Sequence, residues 1–344
     1  MIGEAISSPC LSARGIWKIF GNRPRRALEM ADTGASRAEV REATGCTIGA
    51  RDVSFDALHG ETFVIMGLSG SGKSTLLRCV ARLSPLSRGS VILEGEDLTA
   101  MTEAELRSVR RAKLSMVFQH FGLFWHRRVI DNVAYGLEVQ GVDRKTRHSK
   151  AEEMLDLVGL EGCAGSYPHQ LSGGMQQRVG LARALVVEPT VLFFDEPFSA
   201  LDPLIRRDMQ DELLRIQAGI GGTVIFVTHD FDEAIKLGDR IAVMKDGEFD
   251  QVGTAAELIM NPATEYVEEF VKGVPRVKVL RVGDVLTELD GLAPPQRVPA
   301  GESLETVLPL LVANTDDIAV LDDHGTAVGR IDRAAVTRLI QPQP

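Results

Sequence analysis

The chain has 344 residues, 44% hydrophobic and 25% charged, with a formal net charge of -10 from 38 basic and 48 acidic side chains. That length predicts one large domain and a smaller one, and the composition predicts an ordinary buried core rather than disorder. The acidic balance argues against a general nucleic-acid coat, and no run approaches the ~18 to 20 apolar residues needed to span a bilayer.

In chain order, the N-terminal MIGEAISSPC lacks a charged segment followed by an apolar run, so no secretion signal is expected. Residues 63–66 form an apolar, strand-like run that leads directly into Gly67-Leu68-Ser69-Gly70-Ser71-Gly72-Lys73-Ser74, which fits GxxxxGK[ST]. Glycines at those places let backbone N–H groups curl around phosphate oxygens. The N-terminus of a helix starting near Thr75 adds a favourable dipole, Lys73 reaches outer phosphates and Ser74 ligates Mg2+. Residues 149–159 are helical by period. Residues 191–194 form a second apolar strand ending in Asp195-Glu196, a pattern that puts Asp195 near the magnesium shell and makes Glu196 the general base on the attacking water.

Asp202-Pro203 reads as a turn and helix start, with Ile205, Met209 and Leu213 along one face. The strand at 223–227 is followed by His229, placed to contact a γ-phosphate and hold the base. A further strand lies at 241–244, so the strands and helices alternate as in a parallel α/β sheet, buried on both faces. Around 273–282 valines alternate with basic residues, which sets a boundary between domains 1–274 and 275–344. The tail reads as helix at 283–289, a Pro-rich loop, helix at 303–312, strand at 318–321, a turn at 322–325 and strand at 328–331. Cys10, Cys46, Cys79 and Cys163 lack CxxC or metal spacing and read as reduced structural thiols.

Leu171-Ser172-Gly173-Gly174-Met175-Gln176-Gln177-Arg178 resembles the signature motif of the ABC ATPases. In that family the glycines present a helix N-terminus and the serine hydroxyl, here Ser172, to the γ-phosphate held by the opposite subunit; a serine N-cap before an amphipathic helix uses the same geometry. The resemblance implies an α/β P-loop ATPase fold with a helical signature subdomain at about 120–180, and ATP with Mg2+ as ligands. It further implies Gln119 as the Q-loop glutamine beside metal and γ-phosphate, Ser199-Ala200-Leu201-Asp202 as the D-loop, and His229 as the switch histidine. Phe20 matches the adenine-stacking aromatic and Thr75 the second hydroxyl, near the α-phosphate. Each chain then supplies half of each site. A homodimer closes head to tail on two Mg-ATP, with Lys73, Ser74 and Gln119 facing Ser172 and Gly174.

Over residues 11–273 the wording is similar to importer ATPases for glycine betaine, choline and proline, including a long insert after Phe20-Gly21 and the segments VIMGLSGSGKSTLLR and THDFDEAIKLGDRIAVMKDG. This implies integral permease subunits, a periplasmic or lipid-anchored substrate-binding protein, no nucleic-acid partner, and a peripheral position on the cytoplasmic face of the bacterial inner membrane. The stretch His120 to His126 matches the groove that receives a permease helix, with Trp125 where proline is expected. The tail from Val279 resembles one CBS unit. Rival readings are an importer ATPase for another solute, such as amino acids or polyamines, and a soluble ABC ATPase acting on nucleic acid or ribosomes. A single cassette, the acidic charge and the lack of a coiled-coil or basic insert stand against the last.

Overall fold

A computed structural model describes residues 8–118, 122–199, 201–289, 294–313 and 317–340. Its first strand, β1 (Leu11–Phe20), pairs antiparallel with β2 (Thr47–Ala57), and the loop between them holds the helices α1 (Pro24–Asp32) and α2 (Arg37–Thr44). Helix α1 opens on a proline, whose fixed φ suits the first turn. Helix α2 opens on a reciprocal capping box between Ser36 and Glu39 and ends at Gly45, whose φ of 70° releases the chain. Ala27, Ala31 and Val40 of the two helices pack with Trp17, Ile19, Cys46 and Ile48, giving this insert a small apolar core of its own.

Along the chain follow β3 (Thr62–Met66), α3 (Lys73–Val80), β4 (Arg88–Leu93), β5 (Glu96–Asp97), α4 (Glu103–Ala112) and β6 (Leu114–Phe118). A helical stretch then comprises α5 (Val129–Val133), α6 (Tyr135–Val139), α7 (Arg144–Leu157) and α8 (Gly173–Leu185). After it come β7 (Val191–Asp195), α9 (Pro203–Ile220), β8 (Thr223–Thr228), α10 (Phe231–Leu237), β9 (Arg240–Lys245) and β10 (Glu248–Gly253). Two sheets result, one in the order β2-β1-β4-β5 and one in the order β10-β9-β3-β8-β7-β6. Strands β9, β3, β8, β7 and β6 run parallel. Strands β3, β7 and β8 are buried at every position, as strands covered on both faces must be, and this is why they read as unbroken apolar runs.

The main core joins both sheets. Leu11, Ile16 and Val91 from the first meet Phe63, Phe193 and Ile225 from the second, with Leu76 and Leu77 of α3 among them. Phe55 stacks on Phe63 with ring centroids 4.6 Å apart and planes 8° from parallel. Because β3, β7 and β8 are parallel neighbours, their C-terminal ends deliver the loop at 67–72, Asp195 and Thr228 to one edge of the sheet, where open α/β folds bind ligands.

The chain divides into compact units at Asp250/Gln251 rather than after residue 274 as the sequence suggested. The second unit holds α11 (Ala255–Met260), α12 (Glu265–Val271), α13 (Arg276–Val279), β11 (Arg297–Pro299), α14 (Leu304–Ala313), β12 (Ile318–Leu321), β13 (Ala327–Ile331) and α15 (Arg333–Ile340). Ala256 and Met260 of α11 pack against Leu280, Val282, Leu304 and Val320, and this contact draws residues before 274 into the second unit. The helix expected at 283–289 is only a 3-10 turn, Val282–Val285. Gly283 N–H bonds to Ala300 O and Thr287 exchanges backbone bonds with Arg330, so the segment is held as a bridge instead. Strands β11, β12 and β13 form a three-stranded sheet, parallel then antiparallel.

Phe63→Ala removes a fully buried ring and is expected to lower the unfolding free energy by about 3–5 kcal/mol in a denaturant titration. Phe20→Ala, at a ring 46% exposed, is expected to change it by less than about 0.5 kcal/mol.

Candidate active site

The phosphate loop exists because three glycines take backbone conformations closed to other residues, Gly67 at φ 151°, Gly70 at 81° and Gly72 at 113°. A Cβ on Gly67 would overlap the carbonyl oxygen of Met244, and one on Gly72 that of Gly49. Gly247 N–H donates to Ser71 O at 2.8 Å and fastens the loop to the turn after β9. Lys73, 4% exposed, donates to Gly67 O at 2.7 Å and Leu68 O at 3.0 Å, and its Nζ lies 3.8 Å from Glu196 Oε1. Burial pushes its ammonium pKa down, while the carboxylates of Glu196 and Asp195 oppose that shift.

Asp195 closes β7. Its Oδ2 accepts from Arg78 Nη2 at 3.3 Å, and its Oδ1 is buried with no hydrogen-bond partner among the described residues. Ser71 Oγ is likewise buried and unpartnered, and Ser74 lines the adjoining cavity. Among the described residues no three His, Cys, Asp or Glu side chains gather around a common point. The carboxylate of Asp195 and the hydroxyls of Ser71 and Ser74 are the hard oxygen groups at this end of the cavity. Glu196 takes a left-handed φ of 47°. Its N–H donates to Val227 O at 3.0 Å and its carbonyl accepts from Ser199 Oγ at 2.9 Å. His229 Nδ1 lies 2.9 Å from Glu196 Oε2, so the two side chains hold each other.

A cavity of about 260 Å3 brings together Phe20, Ser69, Gly70, Gly72, Lys73, Ser74, Thr75 and Glu196. The Phe20 ring is exposed, with Lys18 Nζ 5.0 Å from the ring centre. Arg37, Thr47 and Gly49 line the same cavity. In the sequence their segment carries only a family likeness, because neither period nor motif points at these three residues. Gln119, assigned to metal and catalysis, lies outside the described residues.

Among the described residues, those of the signature and the D-loop do not line this cavity. Ser172 caps α8, its Oγ accepting from Met175 N–H at 3.3 Å, and Ser172 and Gly173 are exposed. Gly174 is buried against Ile205 of α9. Gln177 Nε2 donates to Pro197 O at 3.0 Å, which fixes α8 to the segment after Glu196. Asp202 caps α9 by accepting from Ile205 N–H at 3.1 Å. From the next turn Arg206 donates to Leu201 O and to Asp230, each at 3.2 Å. Asp230 caps α10 and its N–H reaches Thr228 Oγ1, which in turn donates to Glu233 at 2.7 Å. The two loops flanking Glu196 are thus tied by one guanidinium.

Burial pushes the Glu233 carboxyl pKa up, with the Thr228 hydrogen bond pulling it back. The folded chain therefore holds this proton more tightly than the unfolded one. Its contribution to stability is complete below the usual carboxylate range and is lost as pH rises through the raised value. Melting curves of Glu233→Gln and wild type are expected to diverge in the variant's favour as pH is taken from mildly acidic to mildly alkaline.

Residues 50–199 match the ABC transporter family model. The chain is 49% identical over 328 residues to the trimethylamine N-oxide transport system ATP-binding protein TmoW of Ruegeria pomeroyi, covering 95% of this chain and 96% of that relative. It is 55% identical over 269 residues to the glycine betaine transport ATP-binding protein OpuAA of Bacillus subtilis, covering 78% of this chain and 64% of that one. A solved dimeric ATP-binding cassette in a post-hydrolysis state, bound to ADP and Pi, superposes with a TM-score of 0.59 at 30% identity over 71% of this chain and 98% of its own. A relative matched nearly end to end and a cavity built on the phosphate loop lead to one conclusion: the chain belongs to the ATP-binding subunits of ABC transporters and is an ATPase of that family.

Proposed function

We propose that this chain drives an importer for a small quaternary amine of the glycine betaine, choline or proline betaine type, and that two copies close head to tail around two ATP molecules. The names of the relatives matched over most of the chain support the solute class. The observation that carries the mechanism is Glu196, held in a left-handed turn at the end of a buried strand, 2.9 Å from His229 and 3.8 Å from Lys73. Within one chain the exposed N-terminus of α8 lines no part of that cavity, which supports its use across a dimer.

In this reading Phe20 stacks on adenine. The N–H groups of residues 67–74 receive the phosphates, and Lys73 exchanges its own loop carbonyls for the outer phosphate oxygens. Ser74, Asp195 and Gln119 hold Mg2+, which neutralises charge on the phosphates. Glu196 takes the proton of the attacking water and His229 fixes its carboxylate, while Ser172, Gly173 and Gly174 of one copy close on the γ-phosphate held by the other and Asp202 adjoins it. Closure then moves the permease. Trp125 is 58% exposed, whereas Phe124 packs edge-on against Tyr135 at 4.6 Å, which supports Trp125 as the aromatic free to meet the permease helix. Such an assembly places the chain on the cytoplasmic face of the membrane, with a substrate-binding protein opposite. The small sheet of β11, β12 and β13 is consistent with a CBS-like unit that stabilises the ATPase dimer or regulates it.

Glu196→Gln is expected to bind ATP normally while turnover falls by at least about 100-fold, measured by nucleotide titration and phosphate release. Full turnover removes Glu196 from the base role. Uptake of labelled choline, glycine betaine and proline in cells with and without the chain tests the solute class. Loss for one of them in both the deletion and Glu196→Gln supports it, and unchanged uptake of all three rejects it.

A further inference from the structure

We infer that Arg37, supplied by the insert between β1 and β2, is a nucleotide-binding residue that engages the phosphate chain of ATP. The inference rests on the phosphate-loop site described above and adds to it a cation that the loop motif does not contain. Arg37 lines the cavity beside Phe20, Ser69, Gly70 and Lys73. It is the first residue of α2, inside the Ser36–Glu39 capping box that fixes where that helix begins. Val40 of the same helix is fully buried in the insert's core with Trp17 and Ile48. The backbone that carries the guanidinium is therefore clamped at both its capped end and its apolar face.

The guanidinium itself is loosely committed. Nη1 lies 3.5 Å from Gly70 O and 3.4 Å from Asp246 Oδ1, both at the long limit of a hydrogen bond. The side chain is only 25% exposed, and its carboxylate partner is 74% exposed, so this ion pair is worth little. Arg51, from the neighbouring strand, shows the contrast: its guanidinium donates to Ala31 O and Ala35 O at 3.1 Å each and pairs with Glu248 at 2.8 Å. A planar fork of five donors, half-buried beside a loop whose glycines open toward phosphate, matches a phosphate oxygen far better than its present partners. Asp246 then acts as a placeholder: it holds Arg37 at the cavity in the absence of nucleotide and yields it to the more charged phosphates.

The test is nucleotide titration and steady-state hydrolysis with the full chain as wild type, Arg37→Ala, Arg37→Lys and Asp246→Asn, with Lys73→Ala as reference. Loss of one charge-assisted contact predicts about a tenfold rise in Kd and KM for ATP in Arg37→Ala. ADP should be weakened as well, competition by adenosine left unchanged, and about half the loss recovered in Arg37→Lys. Asp246→Asn should tighten ATP about twofold, by the removal of a weak competitor. Unchanged ATP affinity in Arg37→Ala, while Lys73→Ala abolishes binding, overturns the role of Arg37 and leaves the phosphate-loop assignment standing. Normal binding by Lys73→Ala overturns the assignment itself. Equal losses for ATP and adenosine, or equal losses in the Ala and Lys variants with a lowered melting temperature, show a structural role and also reject the inference.

Discussion

The phosphate loop is pressed between two backbone carbonyls, that of Met244 at the end of β9 and that of Gly49 in β2, and the rest of the site takes its position from this contact. The two carbonyls belong to different sheets, so the loop can curl only where both sheets approach it, and only glycine at 67 and 72 lets them do so. The main core, with Phe55 of one sheet stacked on Phe63 of the other, holds the sheets at that spacing. Hydrophobic packing far from any ligand thereby sets the curvature of a loop that binds phosphate. Lys73 becomes buried as a by-product, and its interactions with two loop carbonyls and Glu196 offset part of the cost of keeping an ammonium there.

The second constraint lies just past the end of β7. Glu196 has no room to wander, since its N–H is bonded to β8, its carbonyl to Ser199 and its carboxylate to His229. Gln177 fastens the first turns of α8 to Pro197, one residue after Glu196, and Arg206 fastens the loop before α9 to the loop that carries His229. Helix α8 is thus bonded to the residue next to Glu196, and α9 to the loop that carries His229. Both connections run between the helices that begin at Ser172 and Asp202 and the loops that flank Glu196.

The parallel sheet and its phosphate loop were legible in the sequence because a strand buried on both faces is an unbroken apolar run, and because loop residues under steric constraint are few in kind. Residues 63–66, 191–194, 223–227 and 241–244 all lie in that sheet. The tail was harder to read. Val282, Val285 and Leu286 have a helix-like spacing, yet Gly283 and Thr287 find backbone partners at Ala300 and Arg330, and such non-local bonds leave no trace in local period. The same limit hid the boundary of the second unit, which depends on Ala256 and Met260 packing against residues that follow much later in the chain. Within the site, the residues carried by motifs were visible, whereas Arg37, Thr47 and Gly49 come to the cavity only through the folding of an insert that has no motif.

That insert sits where it can matter most for nucleotide. It leaves β1 directly after Phe20 and returns at Thr47, so both of its ends border the cavity. An added segment elsewhere on the surface would need only polar residues and turns. This one has a proline start, a complete capping box, a left-handed glycine stop and its own apolar cluster, each of which lowers the entropy of the backbone that carries Arg37. Rigidity of that kind is costly to encode and has no effect on an unconnected surface. Beside a phosphate loop it has one: a guanidinium that is already positioned loses little freedom when it binds, so more of its interaction energy reaches the ligand.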